Sequence, residues 1–228
     1  MSAAAPLLLI AALAAAGWFL FGGRGEAAGT ARYRRWMARA AGAFLLPTLV
    51  ALALLGRIEA LWILPPDFAD ARAWLPAMAP PDLIEGALAG VLLGLAAAAI
   101  RARRGGRPIG RPGALMPRHR GELGWGAAVA LVAGGTEEPF FRLLLPLLIA
   151  EVTGSATAGF VLATLLFGAM HRYQGWRGMI ATTVFGGVMA AVYLMSGALW
   201  LVVVIHALID VNGLVLWPWL ARKKRATP

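Results

Sequence analysis

The chain has 228 residues, of which 60% are hydrophobic and 14% charged, with a mean hydropathy of +0.73. A water-soluble globule carries about 25% charged residues to cover its surface, so this composition excludes a disordered chain and points to a bilayer as the solvent. The formal charge of +10 arises from 21 Lys and Arg against 11 Asp and Glu. Because the basic residues lie between apolar runs, they point to anionic lipid headgroups as partners and away from nucleic acid. There is no cysteine, which excludes disulfides, thiolate metal sites and a cysteine nucleophile.

A spanning helix needs about 20 mostly apolar residues, and seven candidate runs follow one another, centred on 3–21, 40–56, 83–100, 123–149, 156–171, 178–196 and 198–217. The fold expected is all-α, a polytopic membrane protein of about seven transmembrane helices. The first run, Ser2 to Phe21, has no Lys or Arg ahead of it and is followed by Arg24, Arg32, Arg34, Arg35 and Arg39. That order reads as a retained span, not a secretory signal.

Cytoplasmic loops retain Lys and Arg, and here the basic residues alternate between connections. Besides the five just named, Arg101, Arg103, Arg104, Arg107, Arg111, Arg118 and Arg120 follow the third run, Arg172 and Arg177 the fifth, and Arg222, Lys223, Lys224 and Arg225 the seventh. The opposite side holds only Arg57 and Arg72, and Arg142 lies inside a run. The pattern predicts a multi-pass protein of the cell inner (cytoplasmic) membrane, with the N-terminus outside and the C-terminus in the cytoplasm. Between residues 57 and 82, Pro65, Pro66, Pro76, Pro80 and Pro81 alternate with Trp62, Phe68 and Trp74, which predicts an interfacial loop holding a short helix. The Arg-, Gly- and Pro-rich stretch 101–120 reads as a linker. It divides an N-terminal three-span region, 1–121, from a four-span region with a basic tail, 122–228.

An ionisable group at the centre of a span costs at least about 2.5–3.5 kcal/mol, so each needs a partner or a function. Glu137, Glu138 and Arg142 lie in the fourth run, His171 ends the fifth, and His206 and Asp210 lie in the seventh. Glu138 and Arg142 are four apart with the acid first, the favourable order for an ion pair on one helix face. Glu137 is turned about 100° away, free to face a cavity as a general base. Gly134, Gly135 and Thr136 before it and Pro139 after it predict a helix broken or restarted there. Phe167 and His171, and likewise His206 and Asp210, are four apart on their helices. One such pair alone is commonly a packing hydrogen bond between spans. Six ionisable residues on three helices, against only Glu85 near the end of one of the first three runs, point to function.

In chain order, Glu137-Glu138-Pro139-Phe140-Phe141-Arg142 is EExxxR, Phe167-Gly168-Ala169-Met170-His171 is FxxxH, and His206-Ala207-Leu208-Ile209-Asp210 is HxxxD. Over roughly residues 122–218 the chain resembles the CPBP (ABI) family of type II CAAX prenyl endopeptidases and bacteriocin-processing membrane proteins. The resemblance implies a glutamic-type intramembrane endopeptidase without a cofactor, acting on a membrane-associated peptide or protein. It implies that Glu137 with His171 holds and deprotonates a water, that His206 and Asp210 stabilise the oxyanion, and that Glu138, Arg142 and Phe167 organise the site. Asn is usual at position 210 in the prenyl proteases, so Asp210 acts either as a protonated donor or by orienting His206; Asn212 is a lesser candidate off that face. Prenyl-tail cleavage, bacteriocin maturation and self-immunity all remain open as the biological task. Three alternatives stand beside this reading: a zinc protease using Glu137, His171 and His206, a non-enzymatic immunity or scaffold protein, and a proton-coupled transporter.

Overall fold

The computed structural model describes residues 2–22, 29–76, 78, 80–105 and 113–223. Of the basic residues behind the predicted orientation, Arg24, Arg107, Arg111, Lys224 and Arg225 lie outside the described residues. The described residues are helical, without strands. The principal segments are α1 (Ala5–Phe21), α2 (Ala31–Leu54), α3 (Pro80–Arg103), α4 (123–153), α5 (Ala156–Met170), α6 (Gly175–Ser196) and α7 (199–223). They match the seven apolar runs in order, with α2 starting nine residues before its run. Length and composition qualify four stretches to cross a membrane, Ala31–Leu54, Pro81–Arg101, Arg172–Ser196 and Leu199–Leu220. The segment between Arg57 and α3 holds three short turns, Ile58–Leu61, Pro66–Phe68 and Ala69–Arg72, in keeping with the short helix expected there.

The predicted break around residues 134–139 is not observed. α4 passes from Leu123–Glu138 through a π-helical stretch, Pro139–Leu144, into Leu145–Thr153. Pro139 opens this π stretch, and other prolines stand just beyond such stretches. A proline inside a helix removes a donor and drives its ring against the carbonyl four residues earlier, and a widened turn relieves that clash. Ala41–Leu45, Pro139–Leu144 and Asn212–Leu216 are the π stretches among the described residues, and Pro47, Pro146 and Pro218 each stand two positions beyond one. After each stretch the next amide donates five residues back, Leu46 to Ala41, Leu145 to Phe140 and Trp217 to Asn212.

Gly134 serves packing. A Cβ there would lie 2.7 Å from the Val203 carbonyl oxygen, so its absence lets the α4 and α7 backbones touch. α1 and α2 share a core with α4 and α5. An aromatic row runs Phe19, Phe44, Phe141, Phe167 with centroid spacings of 4.7, 5.5 and 5.3 Å.

The connections gather at two ends. At one, the Ser2 amide donates to Glu151, Arg57 pairs with Asp67, and Asp70 accepts from Ser155 and from both the amide and the hydroxyl of Thr157. At the other, Arg32 of α2 reaches the turn before α4. Its guanidinium donates to both oxygens of Glu122 at 3.0 and 2.8 Å and to the carbonyls of Gly29 and Ala114. Glu122 also accepts from the Arg118 amide at 2.6 Å. The Arg32 hydrogen bonds hold the Glu122 carboxyl down at about 2, against an ordinary 4.5.

A depressed carboxylate stabilises the fold fully above its unfolded pKa and loses that contribution as pH falls toward the folded one. Glu122→Gln strands Arg32, at a cost of about 3 kcal/mol near neutrality, and should lower the melting temperature in detergent. The gap to wild type should close between about pH 4.5 and pH 2. Thermal melts of both proteins across that range measure it, and a gap independent of pH would remove Glu122 as its source.

Candidate active site

The centre of the site is set by α4 and α7, which approach at Gly134. One turn further along α4, Glu138 is wholly buried, with Oε2 3.0 Å from Nε of the equally buried Arg142. Its Oε1 lies 2.7 Å from Nδ1 of His206, which is 3% exposed. A carboxylate can only accept, so Nδ1 carries the proton and donates. Of the pairs read from spacing, Glu138–Arg142 is present, and Glu138 also takes His206 from 68 positions away. The Nε2 of His206 is turned toward Asp210, 3.7 Å from Oδ2, longer than a hydrogen bond. The group that orients His206 is therefore Glu138, in place of the Asp210 considered for that task.

α5 supplies the second histidine. Its 15 residues span about 22 Å at 1.5 Å per residue, short of the roughly 30 Å hydrocarbon core. The helix ends because His171 leaves the helical region, and Gly175, at φ +79°, reverses the chain into α6. His171 Nδ1 lies 2.9 Å from the Phe167 carbonyl oxygen. A carbonyl only accepts, so Nδ1 donates, and in the neutral ring Nε2 keeps its lone pair. The Phe167 ring sits at the middle of the site. Its centroid is 4.7 Å from the Arg142 guanidinium, 4.9 Å from the His171 ring and 6.0 Å from the His206 ring, so one phenyl face meets the buried cation while the ring spaces the two imidazoles.

Glu137 is 7% exposed and has no hydrogen-bond or ion-pair partner among the described residues. It lies in the field of His206, Asp210, Glu138 and Arg142. Exposure rises outward from Glu138 and Arg142 through His206 and Glu137 to the Asp210 side chain at 35%. Asp210 and His171 are the half-buried members of the set. Asn212 opens the π stretch beyond Asp210 and stands apart from these contacts.

Among the described residues no group of three or more His, Asp or Glu side chains is arranged to hold a metal ion. In both histidines Nδ1 is engaged, by Glu138 in His206 and by a backbone carbonyl in His171, and Nε2 is the nitrogen left for chemistry.

Two aromatic residues outside the three motifs also border the site. Phe185 of α6 lies 5.6 Å from the His206 ring, and Tyr173 lies 5.9 Å from the His171 ring. Neither carries a sequence signal: Phe185 sits in an uninterrupted apolar helix and Tyr173 in a short polar turn.

Residues 119–212 match the family described as Rce1-like, Type II CAAX prenyl endopeptidase Rce1-like. That stretch contains all three motifs and runs from the turn before α4 to just past Asp210. No curated protein and no solved structure matches the chain. A protease family thus matches the part of the chain in which the buried ionisable groups converge: residues 119–212 are similar to an Rce1-like domain of the type II CAAX prenyl endopeptidases, within the CPBP family.

Proposed function

We propose that the chain is a glutamic intramembrane endopeptidase that hydrolyses a peptide bond of a membrane-associated substrate. The observation that carries this reading is the contrast between neighbouring acids. Glu138 is engaged by Arg142 and His206, while the nearly buried Glu137 beside it is free of partners among the described residues. A carboxylate left free in a partly desolvated site is suited to general-base work.

In the proposed step a water lies between Glu137 and Nε2 of His171. Its oxygen attacks the scissile carbonyl carbon as its proton passes to Glu137. The oxyanion that forms faces Nε2 of His206, which donates because the ring is the imidazolium whose charge Glu138 balances, with Asp210 beside it, and donors aimed at developing charge are the largest contribution such a site makes. The tetrahedral intermediate collapses with cleavage of the C–N bond, and Glu137 returns the proton to the leaving amine. Glu138, Arg142 and Phe167 hold the histidines in place.

The same reading sets the seven helical segments in the inner membrane, with the N-terminus outside, α5 reaching from the outer side only as far as the site at His171, and substrate entering from the cytoplasmic end, where Asp210 and His171 are most exposed. The basic connections at that end would contact anionic headgroups. Residues 1–121 act as a frame for the catalytic region 122–228.

Two measurements test the proposal. In proteoliposomes supplied with farnesylated and unmodified CAAX peptides, Glu137→Gln should lower turnover by at least about 100-fold while leaving the melting temperature near wild type. Asp210→Asn should stay within about tenfold of wild type, because Glu138 and not Asp210 orients His206. Wild-type turnover in folded Glu137→Gln would remove the base. For orientation, Ala69→Cys should react with an impermeant thiol reagent from outside and Arg104→Cys only from the cytoplasmic side; the chain has no cysteine of its own. Reversed labelling would invert the topology and the side of substrate entry.

A further inference from the structure

α6 carries none of the motif residues, yet it is fitted closely against the site. A Cβ on Gly168 of α5 would collide with the Thr183 hydroxyl of α6. A Cβ on Gly186 would lie 3.0 Å from the Phe167 ring and 3.5 Å from Nη2 of Arg142. Both glycines let helix surfaces close to contact, and the residue next to Gly186 is Phe185.

The Phe185 ring stands 5.6 Å from the His206 ring at an interplanar angle of 84°, and Phe167 stands 6.0 Å away at 87°. His206 therefore has its two nitrogens directed at carboxylates, Nδ1 at Glu138 and Nε2 toward Asp210, and two perpendicular phenyl rings packed about it. Edge-to-face packing of this kind is worth about 0.5–1.5 kcal/mol beyond area burial and restricts rotation of the imidazole about its Cβ–Cγ bond. Rotation would carry Nδ1 away from Glu138 and Nε2 away from the reacting carbonyl.

We infer that Phe185 is a positioning residue for His206, forming with Phe167 a pair of aromatic walls that hold Nε2 toward the scissile bond. The inference rests on the peptidase reading for its catalytic consequence and on the packing for the rest. An aliphatic side chain at 185 fills volume without presenting a ring at right angles to the imidazole. Small misplacements of a catalytic group cost up to about 100-fold, so Phe185→Leu should lower kcat by about tenfold or more with KM unchanged, and Phe185→Tyr, which keeps the ring, should remain within about twofold of wild type.

The ring can also be observed without any substrate. The chain has three histidines, so 15N-histidine labelling gives three pairs of ring-nitrogen signals, assignable through His119→Gln and His171→Gln. In Phe185→Leu the His206 pair should shift or broaden toward exchange, while the His119 pair stays fixed. If Phe185→Leu does not fold, Phe185→Met carries the same expectation. Unchanged His206 signals in a folded variant overturn the inference, as does a variant whose KM rises while kcat stays at wild type, since Phe185 would then be a substrate wall. Failure of wild type to cleave the farnesylated peptide would count against the peptidase reading alone, and the nitrogen signals would still decide the role of Phe185.

Discussion

The carboxylate of Glu138 is the contact on which the rest of the site depends. It is wholly buried, lies 3.0 Å from Arg142 and 2.7 Å from His206, and joins α4 to α7 at the level of the reacting groups. Ions in such a setting are costly unless they pair, so the three residues are held together by the penalty that any one would suffer alone. In the proposed mechanism this pairing also divides labour between adjacent acids: Glu138 is committed to structure, which leaves Glu137 as the proposed base. Without it, Arg142 would be an uncompensated cation beneath Phe167, and Nδ1 of His206 would lose the acceptor that orients the ring.

What could be read in the sequence follows from what local spacing can encode. The i,i+4 relation of Glu138 and Arg142 is a property of one helix, so the pair was legible before any fold was known and is found at bonding distance. The apolar runs gave the positions of the helical segments for the same reason. The Glu138–His206 bond spans 68 residues and two helices, and spacing says nothing about it; only the motif resemblance hinted that those residues meet. Phe185 was invisible because an aromatic ring in an apolar helix looks like lipid-facing filler until its neighbour is known to be an imidazole. The helix continues past Gly134 because glycine and proline, which usually punctuate a helix, have other tasks here. Gly134 is there for the close approach to Val203, and proline is absorbed by π-helical turns.

The same economy of small residues and prolines recurs through the bundle. Glycines at 134, 168 and 186 draw α4, α5, α6 and α7 into contact around the buried charges. The aromatic row from Phe19 to Phe167 ties α1 and α2 into that packing, so the N-terminal helices, outside the matched domain, reach the ring that separates the two histidines. Arg32 and Glu122 fasten α2 to the start of α4 at one end, and Asp70 fastens the 57–75 segment to the start of α5 at the other.

The central claim, that Glu138 is the shared anchor of the site, is tested most directly by a double-mutant cycle on thermal unfolding in detergent. The four proteins are wild type, Glu138→Gln, His206→Gln and the double variant. A shared buried bond predicts that the double variant loses less stability than the two single losses combined, with a coupling of about 1–3 kcal/mol. Additive losses, within about 0.5 kcal/mol, would mean that Glu138 and His206 do not hold each other, and would contradict the account.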